Sequence, residues 1–462
     1  MTVADTDALR TLRERVRDAM PVARTELATL VAFRSVADPR QFPAEECVGA
    51  ASWVRDAFAA AGIANIDLLE TSDGSLAVVG HTPAPDGAPT VLLYSHYDVQ
   101  PPGNEGLWHS PPFTLTERDG RWYGRGAADC KGNIVMHLLA LRALLADGPL
   151  PVGVRIVIEG SEEMGGEGLE HLVAERPDLF TADLIVIGDS GNAEVGQPTL
   201  TTSLRGIANV VVHVETLAGE LHSGMYGGAA PDALAALVRL LNSLRDEHGN
   251  TVVDGLDTTG RWDGVPYPEE RFRTDAGVLD GVSLMSSGSV ADAVWARPAL
   301  TVLGIDAPPV VGSAAAIVPR ASARLNLRVP PGMDSTTAQD ALVEHLEAHV
   351  PWGARLRVER EPVGEPFSAR VDGPGYSALR SALAAAYGRE VGTAGQGGSI
   401  PLCTALQRAV PGAEIALIGV EEPRCVIHAP DESVDPTEIE HLAVAEALLL
   451  RSFANADPGV GG

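Results

Sequence analysis

Four segments of this chain carry side chains that bind cations or move protons. Val91–Ser95 leads into His96-Tyr97-Asp98, Val154–Ile158 into Glu162-Glu163, and Leu184–Ile187 into Asp189. The fourth, Tyr123-Gly124-Arg125-Gly126-Ala127-Ala128-Asp129, sets an Asp just ahead of a helix expected to begin near Lys131. Singly, each has a plain structural reading: a satisfied turn, a pair of solvated loop acids, a helix cap. Their shared position at strand ends makes coincidence a poor explanation. Imidazole and carboxylate together suit Zn²⁺, and Mn²⁺ or Co²⁺ also fit. Adjacent Glu residues on an irregular loop point in different directions, so one can ligate while the other stays free. A metal-bound water has its pKa lowered toward about 7. A neighbouring carboxylate can take its proton and later pass it to a leaving amine.

The elements that must position these groups follow from hydrophobic patterning. Short, wholly apolar runs at 91–95, 154–158 and 184–187 read as strands buried on both faces, as in a mainly parallel sheet. Helical spacing over 131–147 and 166–175 separates them, which indicates an α/β domain with helices on both faces. Amphipathic helices are predicted over 8–34 and 44–62. Sites in such sheets form beyond the carboxyl ends of the strands, where these side chains fall. Near Leu204 the pattern changes. Strand-like 207–216, 299–305, 321–329 and 354–361, with helices at 229–247 and 335–349, describe a smaller α+β domain, and 248–290 reads as a polar loop. The α/β pattern returns with a helix at 376–388, a strand at 414–419 and a helix at 436–453. The expected organisation is a discontinuous domain, 1–203 and 370–462, with 204–369 inserted.

The 462 residues exceed one ordinary core, and a net charge of −28 leaves nothing to neutralise phosphates. Nucleic acid and anionic membrane surfaces are therefore excluded as expected partners. Cys47, Cys130, Cys403 and Cys425 form no CxxC pair and no disulfide ladder. The N-terminus does not read as a signal peptide, no stretch is apolar enough to span a membrane, and a reducing cytoplasm is the expected setting.

HYDVQP at 96–101, YGRGAADCKG at 123–132, EGSEEMGG at 159–166, LHSGMYGG at 221–228, GGSIP at 397–401 and VIHAPDE around His428 come in a telling order. Together they resemble the co-catalytic zinc dipeptidases. That group includes carnosinases, and its wider relatives are aminoacylases, acyl-amino-acid deacylases and glutamate carboxypeptidases. The resemblance implies two divalent metals. Asp129 would bridge them, His96 and Asp189 would complete one site, and Glu163 and His428 the other. Glu162 would be the general acid/base, with Asp98 behind His96 orienting the ring. His222, in the inserted domain, would polarise the scissile carbonyl from the second subunit of a homodimer formed through that domain. Arg328 would hold a substrate carboxylate, helped by Gly398 and Ser399. Two departures stand out. Cys130 occupies a position where relatives carry Asp or Asn, and it is not expected to be a ligand. Ala316 replaces a hydroxyl residue near the substrate.

The expected activity is hydrolysis of dipeptides or similarly small peptides with a free C-terminal carboxylate. The rival within the enzyme class is an N-acyl- or N-carbamoyl-amino-acid amidohydrolase. A catalytically inactive peptide-binding relative is a rival from another class, and the acid at Glu162 argues against it. A glycosidase using Glu162 and Glu163 leaves His96 and His428 unexplained, and adjacent residues are poorly placed to flank one bond.

Overall fold

The apolar runs lie at the centre of a mixed sheet. In the computed structural model, which describes residues 3–454, the chain divides into two compact units. The first holds residues up to 202, 369–394 and those from 401 onward. Its strands lie in the order Asp67–Glu70, Leu76–Thr82, Gly153–Glu159, Thr90–His96, Leu184–Gly188, Glu414–Ile418, Thr199–Leu204. The expected mainly parallel arrangement holds in the four central strands. The flanks are antiparallel. One reason is local: residues 67–82 form a hairpin over a short turn, which only antiparallel strands can make. The central strands are buried along their length, Leu184–Gly188 at every residue. That explains why their sequence shows no alternation.

Helices flank the sheet. Lys131–Leu145 packs against Val3–Ala32 and Pro436–Phe453, and thirteen of its fifteen residues are buried. Truncating a side chain such as Leu138, at 0% exposure, costs about 2–5 kcal/mol in transfer and cavity energy. Gly160 illustrates how closely the strand ends pack: a Cβ there would sit 2.0 Å from the Tyr97 hydroxyl oxygen.

The second unit holds residues 203–368 and 395–400. Its antiparallel sheet runs Ala299–Asp306, Arg320–Val329, Gly206–Glu215, Arg355–Gly364. Gly206–Glu215 alternates buried and partly exposed residues, and Ala208, Val210, Val212 and Val214 form a separate core with helices Ala233–Asn242 and Ser335–His349. The helix predicted over 229–247 is shorter because Asp232 caps it, accepting from the amides of Leu234 at 2.9 Å and Ala235 at 3.2 Å. The 248–290 stretch contains a helix, Glu269–Asp275, and Tyr267 and Trp262 pack on Trp295. Residues 395–400, expected with the first unit, cluster with the second. The Arg205 amide donates to the Gln396 carbonyl, and a Cβ on Gly395 would sit 2.7 Å from that of Trp295. No helix among the described residues is long and apolar enough to cross a membrane.

Candidate active site

His96 closes its strand and is fully buried. Its Nδ1 lies 3.0 Å from the Asp98 carbonyl oxygen and 3.4 Å from Asp98 Oδ1. A proton held there leaves the Nε2 lone pair facing inward. Nε2 is 3.1 Å from Asp129 Oδ1 and 3.3 Å from Asp189 Oδ1. The second Asp129 oxygen, Oδ2, is 2.9 Å from His428 Nε2, which in turn is 3.4 Å from Glu163 Oε2. One carboxylate thus stands between two imidazoles, each with a further carboxylate beside it. His428 reaches this position from a backbone at φ +64°, a strained conformation for a residue with a side chain.

The supporting contacts explain the spacing of the sequence segments. The Asp98 carboxylate accepts from the Glu162 amide at 3.2 Å and the Glu163 amide at 3.0 Å, fixing the turn after the strand Gly153–Glu159. Gln100 donates to Glu163 from its side chain at 2.7 Å and from its backbone at 3.2 Å. Glu432 is fully buried and holds the loop bearing Asp129. Its carboxylate accepts from the amides of Gly126, Ala128 and Asp129, each at 3.1 Å, and from Arg125 Nη1 at 2.7 Å. Gln100 and Glu432 lie inside the quoted sequence segments, yet a Gln or Glu looks like any other polar residue until its partners are known. Cys130 sits among His96 and Asp189, but its thiol is buried and donates to the Gly188 carbonyl at 2.8 Å.

The electrostatics favour cations. Among the described residues no Lys or Arg pairs with Asp129, Glu163 or Asp189; their ionic partners are the two histidines. Burial, and then the charge of Asp189, push the Glu162 carboxyl up to about 10. Burial and the charge of Asp129 bring Glu163 to about 7. Asp129 moves the other way: burial opposes its charge, but the hydrogen bonds from His428 and His96 win and hold it well below the usual carboxylate range. Converging, uncompensated carboxylate oxygens and imidazole nitrogens are the donor set of a divalent metal site. The residues present fit such an ion: ligand atoms of Asp129, Glu163 and His428 lie within 4.8 Å of one another, and His96 and Asp189 converge beside Asp129.

The remaining expected site residues belong to the second unit. His222 is exposed, caps the short helix Ser223–Tyr226 by accepting from the Gly224 amide at 3.1 Å, and lies opposite Ala316 in a two-residue strand pair. Arg328 and Gly364 both pair with Ile207 and so share one row across three strands. A Cβ on Gly364 would lie 3.5 Å from the Ser399 hydroxyl oxygen, so Ser399 sits over that row. Gly398 adjoins it.

An α/β sheet whose central strands end on buried imidazoles and carboxylates is the framework of a metal-dependent hydrolase. The chain belongs to peptidase family M20/M25/M40, whose model matches residues 92–452. It is 48% identical over 434 residues to a cysteinylglycine-S-conjugate dipeptidase of Corynebacterium striatum, covering 93% of this chain and 94% of that protein. It is 31% identical over 359 residues to a Beta-Ala-His dipeptidase of Rattus norvegicus, covering 73% of this chain and 71% of that one. The crystal structure of human carnosine dipeptidase 1 superposes with a TM-score of 0.80 at 25% identity, covering 97% of this chain and 99% of the other.

Proposed function

We propose that the protein is a dinuclear metallodipeptidase, hydrolysing the amide bond of dipeptides or similarly small peptides that end in a free carboxylate. The observation that carries this reading is Asp129, with one oxygen toward His96 and the other toward His428. The named activities of the relatives support the choice of dipeptides. His96, Asp129 and Asp189 would hold one ion, and Asp129, Glu163 and His428 the other, with Zn²⁺ the natural choice for this donor set. Ions held there supply Lewis acidity, which acidifies a water and polarises the scissile carbonyl. Glu162 takes the proton of the attacking water and returns it to the leaving amine. Arg328 binds the terminal carboxylate, with Gly398 and Ser399 beside it.

The protein works as a homodimer in this account, through the second unit. The edge strand Ala299–Asp306 leaves Leu303 and Ile305 about half exposed, and Val310 and Val311 beyond it are almost wholly exposed. An open apolar sheet edge is normally covered. His222 of one subunit then donates to the carbonyl oxygen in the other's site as it becomes tetrahedral. A cytoplasmic setting accords with four unpaired cysteines. The test is a panel of dipeptides, their C-terminal amides and N-acetyl amino acids, assayed with Zn²⁺- or Mn²⁺-reconstituted protein. Free-acid dipeptides are the expected substrates. Turnover of N-acetyl amino acids alone would replace this reading with an acyl-amino-acid amidohydrolase.

A further inference from the structure

Arg205 is a half-buried cation near the expected carboxylate site that has no assigned role. It lies between the strands Thr199–Leu204 and Gly206–Glu215, within the second unit. Its Nε and Nη1 are buried and have no hydrogen-bond partner, and among the described residues it forms no ion pair. A buried guanidinium with unmade hydrogen bonds is costly, so such groups normally face an anion. The neighbouring charge makes the cost larger. Burial, and then the positive charge of Arg328, lower the Arg205 group to about 10. Arg328 likewise has no carboxylate partner among the described residues. Arg328 pairs with Ile207, two residues along from Arg205, so two guanidinia without an acid partner among the described residues occupy neighbouring positions and favour a negative charge supplied by a ligand.

Arg205 Nη2 lies against Gly397, where a Cβ would come within 2.8 Å. The same 395–400 segment carries Gly398 and Ser399, and Ser399 covers the row that holds Arg328 and Gly364. Arg205, Arg328 and the Ser399 hydroxyl therefore border one patch of the second unit. All three can donate hydrogen bonds, and a planar guanidinium fork matches a carboxylate.

We infer that Arg205 is a second guanidinium of a carboxylate-binding site shared with Arg328, and that the substrate's terminal carboxylate bridges the two. This rests on the dipeptidase reading and deepens it by naming a specificity-determining residue. The test uses the metal-loaded, turnover-deficient variant Glu162→Gln, titrated by calorimetry with alanylglycine and with alanylglycinamide. Adding Arg205→Gln should weaken alanylglycine binding about 10–100-fold, the scale of a charge-assisted hydrogen bond, and leave the amide unchanged. Arg205→Lys, which keeps the charge, should recover part of the difference and guards against a Gln variant that folds poorly. Equal weakening of acid and amide would make Arg205 a structural residue and overturn the inference. So would unchanged binding of the acid. If Arg328→Gln abolishes the preference for the acid while Arg205→Gln does not, the dipeptidase reading stands and the second guanidinium falls. Binding of neither ligand by the parent would defeat both.

Discussion

Removing the Glu432 carboxylate should unsettle the metal centre although Glu432 is not among the expected ligands. Its two oxygens serve three backbone amides and one guanidinium, all buried. One of those amides belongs to Asp129 itself. Glu432→Ala leaves Arg125, 1% exposed, as an unpaired buried charge. Breaking a buried pair from one side costs about 3–5 kcal/mol, far more than the pair contributes net, because the surviving charge stays desolvated. The amides lose their acceptor as well, so the upper part of that range is expected. The loop bearing Asp129 then keeps backbone contacts, such as the Gly124 amide to the Glu432 carbonyl and the Arg125 amide to the Pro112 carbonyl, but loss of an outer contact such as the Glu432 carboxylate lowers metal affinity about 10–100-fold. Chemical denaturation of the metal-loaded protein and competition with a chromophoric chelator read the two effects separately. Replacing Arg125 and Glu432 together by Met should be milder than Glu432→Ala alone, since no charge is stranded. A Glu432→Ala protein with parental stability and parental metal affinity would refute the reasoning.

Glu162 and Glu163 should differ in kind. Glu162→Ala keeps both metals and loses most turnover, whereas Glu163→Ala also loses a metal; elemental analysis of the two proteins decides, and equal metal loss would contradict the division. His222→Ala should bind metal normally and lose about 10²–10³ in turnover, the cost of one oxyanion donor. Mixed with Glu162→Ala under conditions that let subunits exchange, it should regain activity up to one working site per heterodimer, and no recovery despite exchange would rule out action across the interface. In metal-free protein, burial beside Asp129 raises Glu163 from its ordinary 4.5 to about 7. A raised carboxylate contributes stability that is present below 4.5 and lost as pH rises through 7. Glu163→Gln, which cannot ionise, should therefore gain in melting temperature relative to the metal-free parent between pH 5 and pH 8, and an unchanged difference would count against the burial argument.

Much of the first unit was legible because its central strands are buried on both faces and so appear as unbroken apolar runs. His96, Glu162, Glu163 and Asp189 follow those runs directly, and the structure brings them to one end of the sheet with Asp129. The sheet's antiparallel flank was not legible, since Leu76–Thr82 is interrupted by Gly80 and His81 and lacks a distinctive period. Glu432 and Gln100 were missed as supports because their roles depend on partners up to 307 residues away, which no local pattern encodes. Asp98 was expected to orient His96 through its carboxylate. In the structure the nearer oxygen at the ring is its backbone carbonyl, and the carboxylate mainly holds the Glu162-Glu163 turn. Arg205 carried no signal at all: an Arg between two strands usually faces water, and only its buried, unpaired nitrogens set it apart.

The central claim is that two metal ions held around Asp129 are required for dipeptide hydrolysis. Its most direct test is titration of chelated protein with Zn²⁺ or Mn²⁺, following hydrolysis of a free-acid dipeptide alongside elemental analysis. The account predicts no turnover without metal and full turnover as occupancy approaches about two ions per chain, matching the two Asp129 oxygens that face separate histidines. Full activity in protein shown to be metal-free would contradict it.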